Sequence, residues 1–139
     1  MSSSNMDQLD RILKRTIDSF EQSKNEIYDI AEHAQEEYQQ LQQELEELKA
    51  QISNTMDLVQ NFERALKKSR LELMQVSKNF DQYSQEEMKA IYAKADQLRI
   101  NLAVEKEREQ MLIQKRNELE IRLKRSAKTV EKAENLINH

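Results

Sequence analysis

The sequence contains no glycine, proline, cysteine or tryptophan. Without Gly and Pro the chain lacks the residues that build tight turns and strand ends, which argues against sheets, barrels and Gly-rich phosphate loops. Without Cys there is neither a disulfide framework nor a thiolate metal site. The two His, His33 and the terminal His139, are too few for a zinc site. Neither forms the Glu-x-x-His pairs that facing helices use to hold two irons. Apolar runs are also short. No stretch comes near the ~18 residues of a membrane span, and the polar start Met1–Asn5 has no signal-peptide core. Net charge is −4 with both signs interspersed. The longest basic clusters, Lys67-Lys68-Ser69-Arg70 and Arg122-Leu123-Lys124-Arg125, read as solvated helix faces, so no nucleic-acid partner is expected.

What is present points one way. Ala, Glu, Lys, Leu and Arg make up 66 of the 139 residues, and 35% of residues are charged. That mixture belongs to long helices and coiled coils when an apolar heptad accompanies it. The heptad is there. One series, at position a, reads Leu45, Ile52, Val59, Leu66, Leu73, Phe80; its partner, at d, reads Leu41, Leu48, Thr55, Phe62, Ser69, Val76. The d series continues upstream as Ala34, Ile27, Phe20, Leu13 and Met6. Alternating steps of three and four keep one stripe on one face of a helix. Lys24 at a, and Thr55 and Ser69 at d, are its weak points. Ser23 and Glu26 have capping-box spacing, which leaves a break near residues 19–24 open.

The strongest interruption runs from Ser77 to Glu87. Asn79, Asp81 and Ser84 compete for local backbone hydrogen bonds and favour caps and turns over helix interior. Ser84 and Glu87 have the spacing of a capping box, and Glu86 and Glu87 suit the positive end of a helix dipole. The expected elements are therefore a helix over about 6–79, a turn over about 80–84 around Phe80, and a second helix over about 85–137, forming one helical module.

If the chain reverses at this turn, one fixed offset sets Val76 opposite Met88, Leu73 opposite Ile91, Leu66 opposite Leu98 and Phe62 opposite Leu102. The same offset sets Ile52 with Leu112, Leu45 with Leu119, Leu41 with Leu123, Ala34 with Val130 and Ile27 with Ile137. A single register that aligns so many apolar positions is what an antiparallel coiled coil requires. The expected fold is all-α, a long antiparallel helical hairpin that dimerises into a helical bundle. The first ~26 residues overhang that pairing at ~1.5 Å per residue, and their apolar positions call for a partner chain or a continuation of this one.

The seam fails in one place. Glu105, Glu109 and Arg116 stand between Leu102 and Leu119, facing Val59, Thr55 and Leu48. Such residues either snorkel outward along a splayed pair or form a polar layer that makes the packing switchable. Beside them Ile100, Val104, Met111 and Ile121 make a sparse apolar stripe away from the seam, a candidate dimer face. His33 sits at position c and reads as a surface residue. Nothing supplies a nucleophile, base or phosphate loop, so the chain is not expected to be an enzyme by itself.

The stretch Val76-Ser77-Lys78-Asn79-Phe80-Asp81-Gln82-Tyr83-Ser84-Gln85-Glu86-Glu87, followed by Ala90-x-Tyr92-x-Lys94-Ala95, resembles the amino-terminal sensing region of the DegS-type sensor histidine kinases of Gram-positive bacteria. Glu107-Arg108-Glu109-Gln110-Met111-Leu112, Arg116 through Leu123, and Ser23 through Ile30 are similar to that region too. The resemblance spans roughly residues 6–137, and its specific part is the Ser-x-Asn-Phe-x-x-Tyr-Ser-x-Glu-Glu turn. It implies a cytoplasmic kinase without membrane spans, in which a helical input region precedes a phosphoacceptor helix and an ATP-binding domain. It implies ATP and magnesium in that kinase core, and a DegU-type response regulator as the phosphoryl acceptor. This sequence lacks the phosphoacceptor and ATP-binding motifs, so no cofactor and no catalytic residue is carried over. A homodimeric sensor module is the expectation; a purely structural or tethering coiled coil is the alternative. A membrane-surface amphipathic protein is a weaker one, because the flanks of the seam are not rich in Lys or Arg.

Overall fold

A computed structural model describes residues 2–138, with side chains from residue 4 onward. The chain is all-α: helix α1 runs Ser2–Lys78, a single 3-10 turn Phe80–Gln82 follows, and helix α2 runs Gln85–Ile137. α1 is continuous through residues 19–24, so the break left open there does not occur. Helix formers flank Ser23 on both sides, and Lys24 sits at i, i+4 spacing with its ammonium 6.0 Å from the centre of the Tyr28 ring.

The packing falls into two compact units, Met1–Glu44 with Leu119–His139 and Leu45–Glu118. A pair of helices touches along a line and has no central core, so each stretch packs only on what lies beside it.

The Leu45–Glu118 unit is an antiparallel hairpin. On the α1 side Leu45, Leu48, Ile52, Val59, Leu66 and Val76 are buried, together with Thr55 and Ser69. Phe62 and Leu73 are half-buried. On the α2 side Ala95 and Leu112 are buried, while Met88, Ile91, Leu98 and Leu102 are half-buried. α1 therefore supplies most of the sequestered apolar surface, each fully buried Leu or Ile contributing about 1.5–3 kcal/mol. Phe80, which continues the a series in the sequence, is 64% exposed. The helix ends two residues earlier, and the turn swings this ring out of the seam.

In the Met1–Glu44 and Leu119–His139 unit the two segments also run antiparallel. Ala34, Leu41 and Ala133 are buried, and Ile27, Leu119, Leu123, Val130 and Ile137 are half-buried. The Ser126 hydroxyl, itself buried, donates to the Ala34 carbonyl across the pair at 3.2 Å. Ser126 lies one helical turn from Val130, the residue set opposite Ala34 by the sequence register. Small side chains at Ala34, Ser126 and Ala133 let the two backbones approach closely. Upstream, Met6, Leu9, Leu13, Ile17 and Phe20 are 51–72% exposed.

Candidate functional site: turn, polar layer and apolar stripe

The turn is built by backbone and cap together. The Asn79 amide donates to the Gln75 carbonyl at 2.9 Å and closes α1; the Gln82 amide then donates to the Asn79 carbonyl at 2.9 Å and forms the 3-10 turn. Asn79 caps that turn by position alone, without a side-chain hydrogen bond, and Asp81 lies in its first turn. Tyr83 is extended, at φ −113° and ψ 138°, and leads into Ser84. The Glu87 amide donates to the Ser84 hydroxyl oxygen at 3.1 Å, satisfying one of the free amides at the start of α2. The Met88 amide donates to the Ser84 carbonyl at 3.0 Å and begins the helical ladder. A turn without glycine is possible because no described residue has a positive φ.

The polar layer lies within the Leu45–Glu118 unit. Thr55 is 4% exposed, and Glu105, Glu109 and Arg116 are half-buried. One carboxylate oxygen of Glu105, Oε2, is buried without a hydrogen-bond partner. Glu109 lines an open groove of about 360 Å³ with Met56, Val59, Gln60, Glu63 and Lys106. At the rim of this groove the Lys106 ammonium reaches the Glu63 carboxylate at 3.6 Å across the pair. The Arg116 guanidinium donates to the Asn117 side-chain oxygen at 3.4 Å. A buried polar atom with no partner costs about 1–3 kcal/mol, so this stretch of seam is packed at a disadvantage.

Two further polar seam residues matter: Ser69, a weak point of the d series, and Ser126, which the sequence reading passes over. Ser69 is 2% exposed, and its hydroxyl has no partner. Ser126 bridges the helices in the other unit. The signal for Ser126 is its spacing, since Leu123, Ser126, Val130 and Ala133 keep the three-four rhythm of the seam. For Ser69 the heptad reveals the position but not the orphaned hydroxyl.

Away from the seam, Ile100, Val104 and Met111 are 50%, 56% and 57% exposed. A shallow groove of about 450 Å³ runs past Val104, Glu107, Arg108, Met111 and Lys115. Ile121, also exposed, belongs to the other unit. Among the described residues no group of three or more acidic, His or Cys side chains could hold a metal ion, and no helix is long and apolar enough to cross a membrane.

A family profile described as "Sensor protein DegS" matches residues 10–139. The signal transduction histidine-protein kinase/phosphatase DegS of Brevibacillus brevis is 35% identical over 129 residues, covering 93% of this chain and 33% of the relative. The protein of the same description from Bacillus subtilis (strain 168) is 33% identical over 130 residues, covering 94% of this chain and 34% of the relative. The chain therefore spans about a third of the length of the curated relatives it matches. No solved structure matches it.

Proposed function

The chain belongs to the DegS sensor family, and from that premise we propose that it is the input region of a cytoplasmic two-component histidine kinase, acting as a homodimer. In this reading the chemistry resides in a phosphoacceptor and ATP-binding core elsewhere in the parent protein, where ATP and magnesium act. The phosphoryl group leaves on a DegU-type response regulator. The present helices supply no reacting group. Their task is mechanical: a helix pair with two packings of similar energy passes a small slide or rotation to whatever α2 leads into.

The observation that carries this reading is the half-buried Glu105, with a carboxylate oxygen sequestered and unsatisfied in the α2 seam. A seam optimised for stability would place leucine there. A polar layer lowers the cost of leaving the packed state, and an element that relays a signal requires that property.

The test replaces Glu105, Glu109 and Arg116 together with leucine in the full-length kinase. Autophosphorylation and dephosphorylation of the regulator are then measured in parallel. The expected outcome is a shifted ratio of the two activities, because a locked seam holds one signalling state. A variant that is more thermostable yet keeps the wild-type ratio would overturn the relay and leave the polar layer a packing feature.

A further inference from the structure

The apolar stripe of α1 keeps its spelling where its cover stops. Met6, Leu13, Phe20, Ile27, Ala34 and Leu41 follow one another at a constant spacing of seven. Leu41 and Ala34 are buried and Ile27 is half-buried, whereas Phe20, Leu13 and Met6 are exposed. Cover fades at the last turn of α2, which ends at Ile137. There Leu136 and Ile137 share a groove of about 420 Å³ with Phe20, Ile27 and Tyr28 of α1. Phe20 lies two turns upstream of Ile27, so the groove opens toward the bare stretch. On α2 the seam reads Leu119, Leu123, Ser126, Val130, Ala133 and Ile137, each buried or half-buried and in steps of three and four.

On the reading that α2 leads onward into a kinase core, we propose that the bare stripe is covered within the same molecule. Its occupant is a helical continuation of α2 over about twenty residues that follow His139 in the parent protein, at ~1.5 Å per residue enough to reach from Ile27 back to Met6. The relatives leave room for it, since this chain spans about a third of their length. Register fixes the seating. Ile27 and Ile137 face each other in the antiparallel pair, so each step back along α1 is matched by an equal step forward along α2. Phe20 then faces the fifth residue after His139, Ile17 the eighth, Leu13 the twelfth and Met6 the nineteenth. The seam of α2, continued past Ile137 in its own steps of three and four, falls on the same four positions. Two independent rhythms agree. A second copy laid on this stripe would have to begin its pairing afresh at the end of α2. The continuation instead adds residues one at a time to a helix already nucleated and already seated.

The full-length protein tests this in three ways. In its sequence, the fifth, eighth and twelfth residues after His139 are expected to be apolar; charged side chains at two of them would overturn the pairing. Backbone amides around Leu13 are expected to exchange with solvent at least about tenfold more slowly in the full-length protein than in the chain ending at His139, both at low concentration. Equal exchange would overturn it. In a cysteine-free background, Leu13→Cys with a second cysteine substituted at the twelfth residue after His139 is expected to join within one copy through a short thiol cross-linker. A cysteine at the fourteenth residue, on the far side of the helix, is expected to join poorly. A link between two copies would make a second copy the occupant and overturn the proposal, as would equal linking from both positions. Should Leu13→Cys disturb folding, the exchange measurement on the unsubstituted protein still decides. None of these readouts involves phosphoryl transfer. Absence of autophosphorylation would therefore overturn the kinase reading alone, and unchanged exchange at Leu13 in an active kinase would overturn the pairing alone.

Discussion

Ser84 occupies the position where the free amides at the start of α2 need an acceptor, and its hydroxyl takes the Glu87 amide at 3.1 Å. Alanine there removes the acceptor without changing the packing, so Ser84→Ala is expected to cost about 1 kcal/mol. Urea denaturation followed by circular dichroism measures it; an unchanged midpoint would mean that water replaces the cap at no cost. Ser69 calls for the opposite expectation. Its hydroxyl is sequestered without a partner, so Ser69→Ala removes a desolvated polar group and should leave stability unchanged or raise it by up to about 1 kcal/mol. A loss above that size would show that the hydroxyl does find a partner in solution. The two serines differ in how far the sequence reveals them. Ser84 is legible because a cap is a local motif read over four residues. The state of the Ser69 hydroxyl depends on what the opposite helix presents, which no local pattern encodes.

Both helices are written in the three-four spacing of apolar residues, and their ends in side chains that prefer caps. That is why α1 and α2 lie close to the boundaries a reader of the sequence would draw. The spacing says less about Ser23–Glu26, where capping-box residues sit inside an unbroken helix. Such a motif acts only when the chain before it leaves the helix, and Glu21 and Gln22, immediately before Ser23, are good helix formers. The division of the packing into two units is likewise absent from the heptad, which is uniform across Glu44 and Leu45. At this scale the polar layer makes its own prediction. Leucine at Glu105, Glu109 and Arg116 extends the apolar seam and removes the unsatisfied Glu105 oxygen. The triple variant is expected to gain about 1–4 kcal/mol and melt several degrees higher. Differential scanning calorimetry on this chain reads it. An unchanged or lower melting temperature would mean that these side chains already reach water, and that the gap in the seam is only apparent.

Stability along a helix pair follows contact, so protection should be graded along α1 as burial is. Leu41, Leu45, Leu48 and Ile52 are 3–7% exposed, whereas Met6, Leu9, Leu13, Ile17 and Phe20 are all more than half exposed. A helix that buries no face is marginal in water, because its nucleation cost is offset only by packing. Backbone amides around Leu13 are therefore expected to exchange with solvent roughly 100-fold faster, or more, than those around Leu48. Hydrogen exchange read by mass spectrometry over peptides from each segment tests this at low protein concentration, where association is suppressed. Equal protection at both places would show that the upstream stripe is covered even in the dilute chain. Protection near Leu13 that appears only as concentration rises would show that a second copy covers it. If the upstream stripe exchanges fast when dilute while the Leu41–Ile52 stretch stays protected, opening starts upstream on α1 and the buried seam is the last part to exchange.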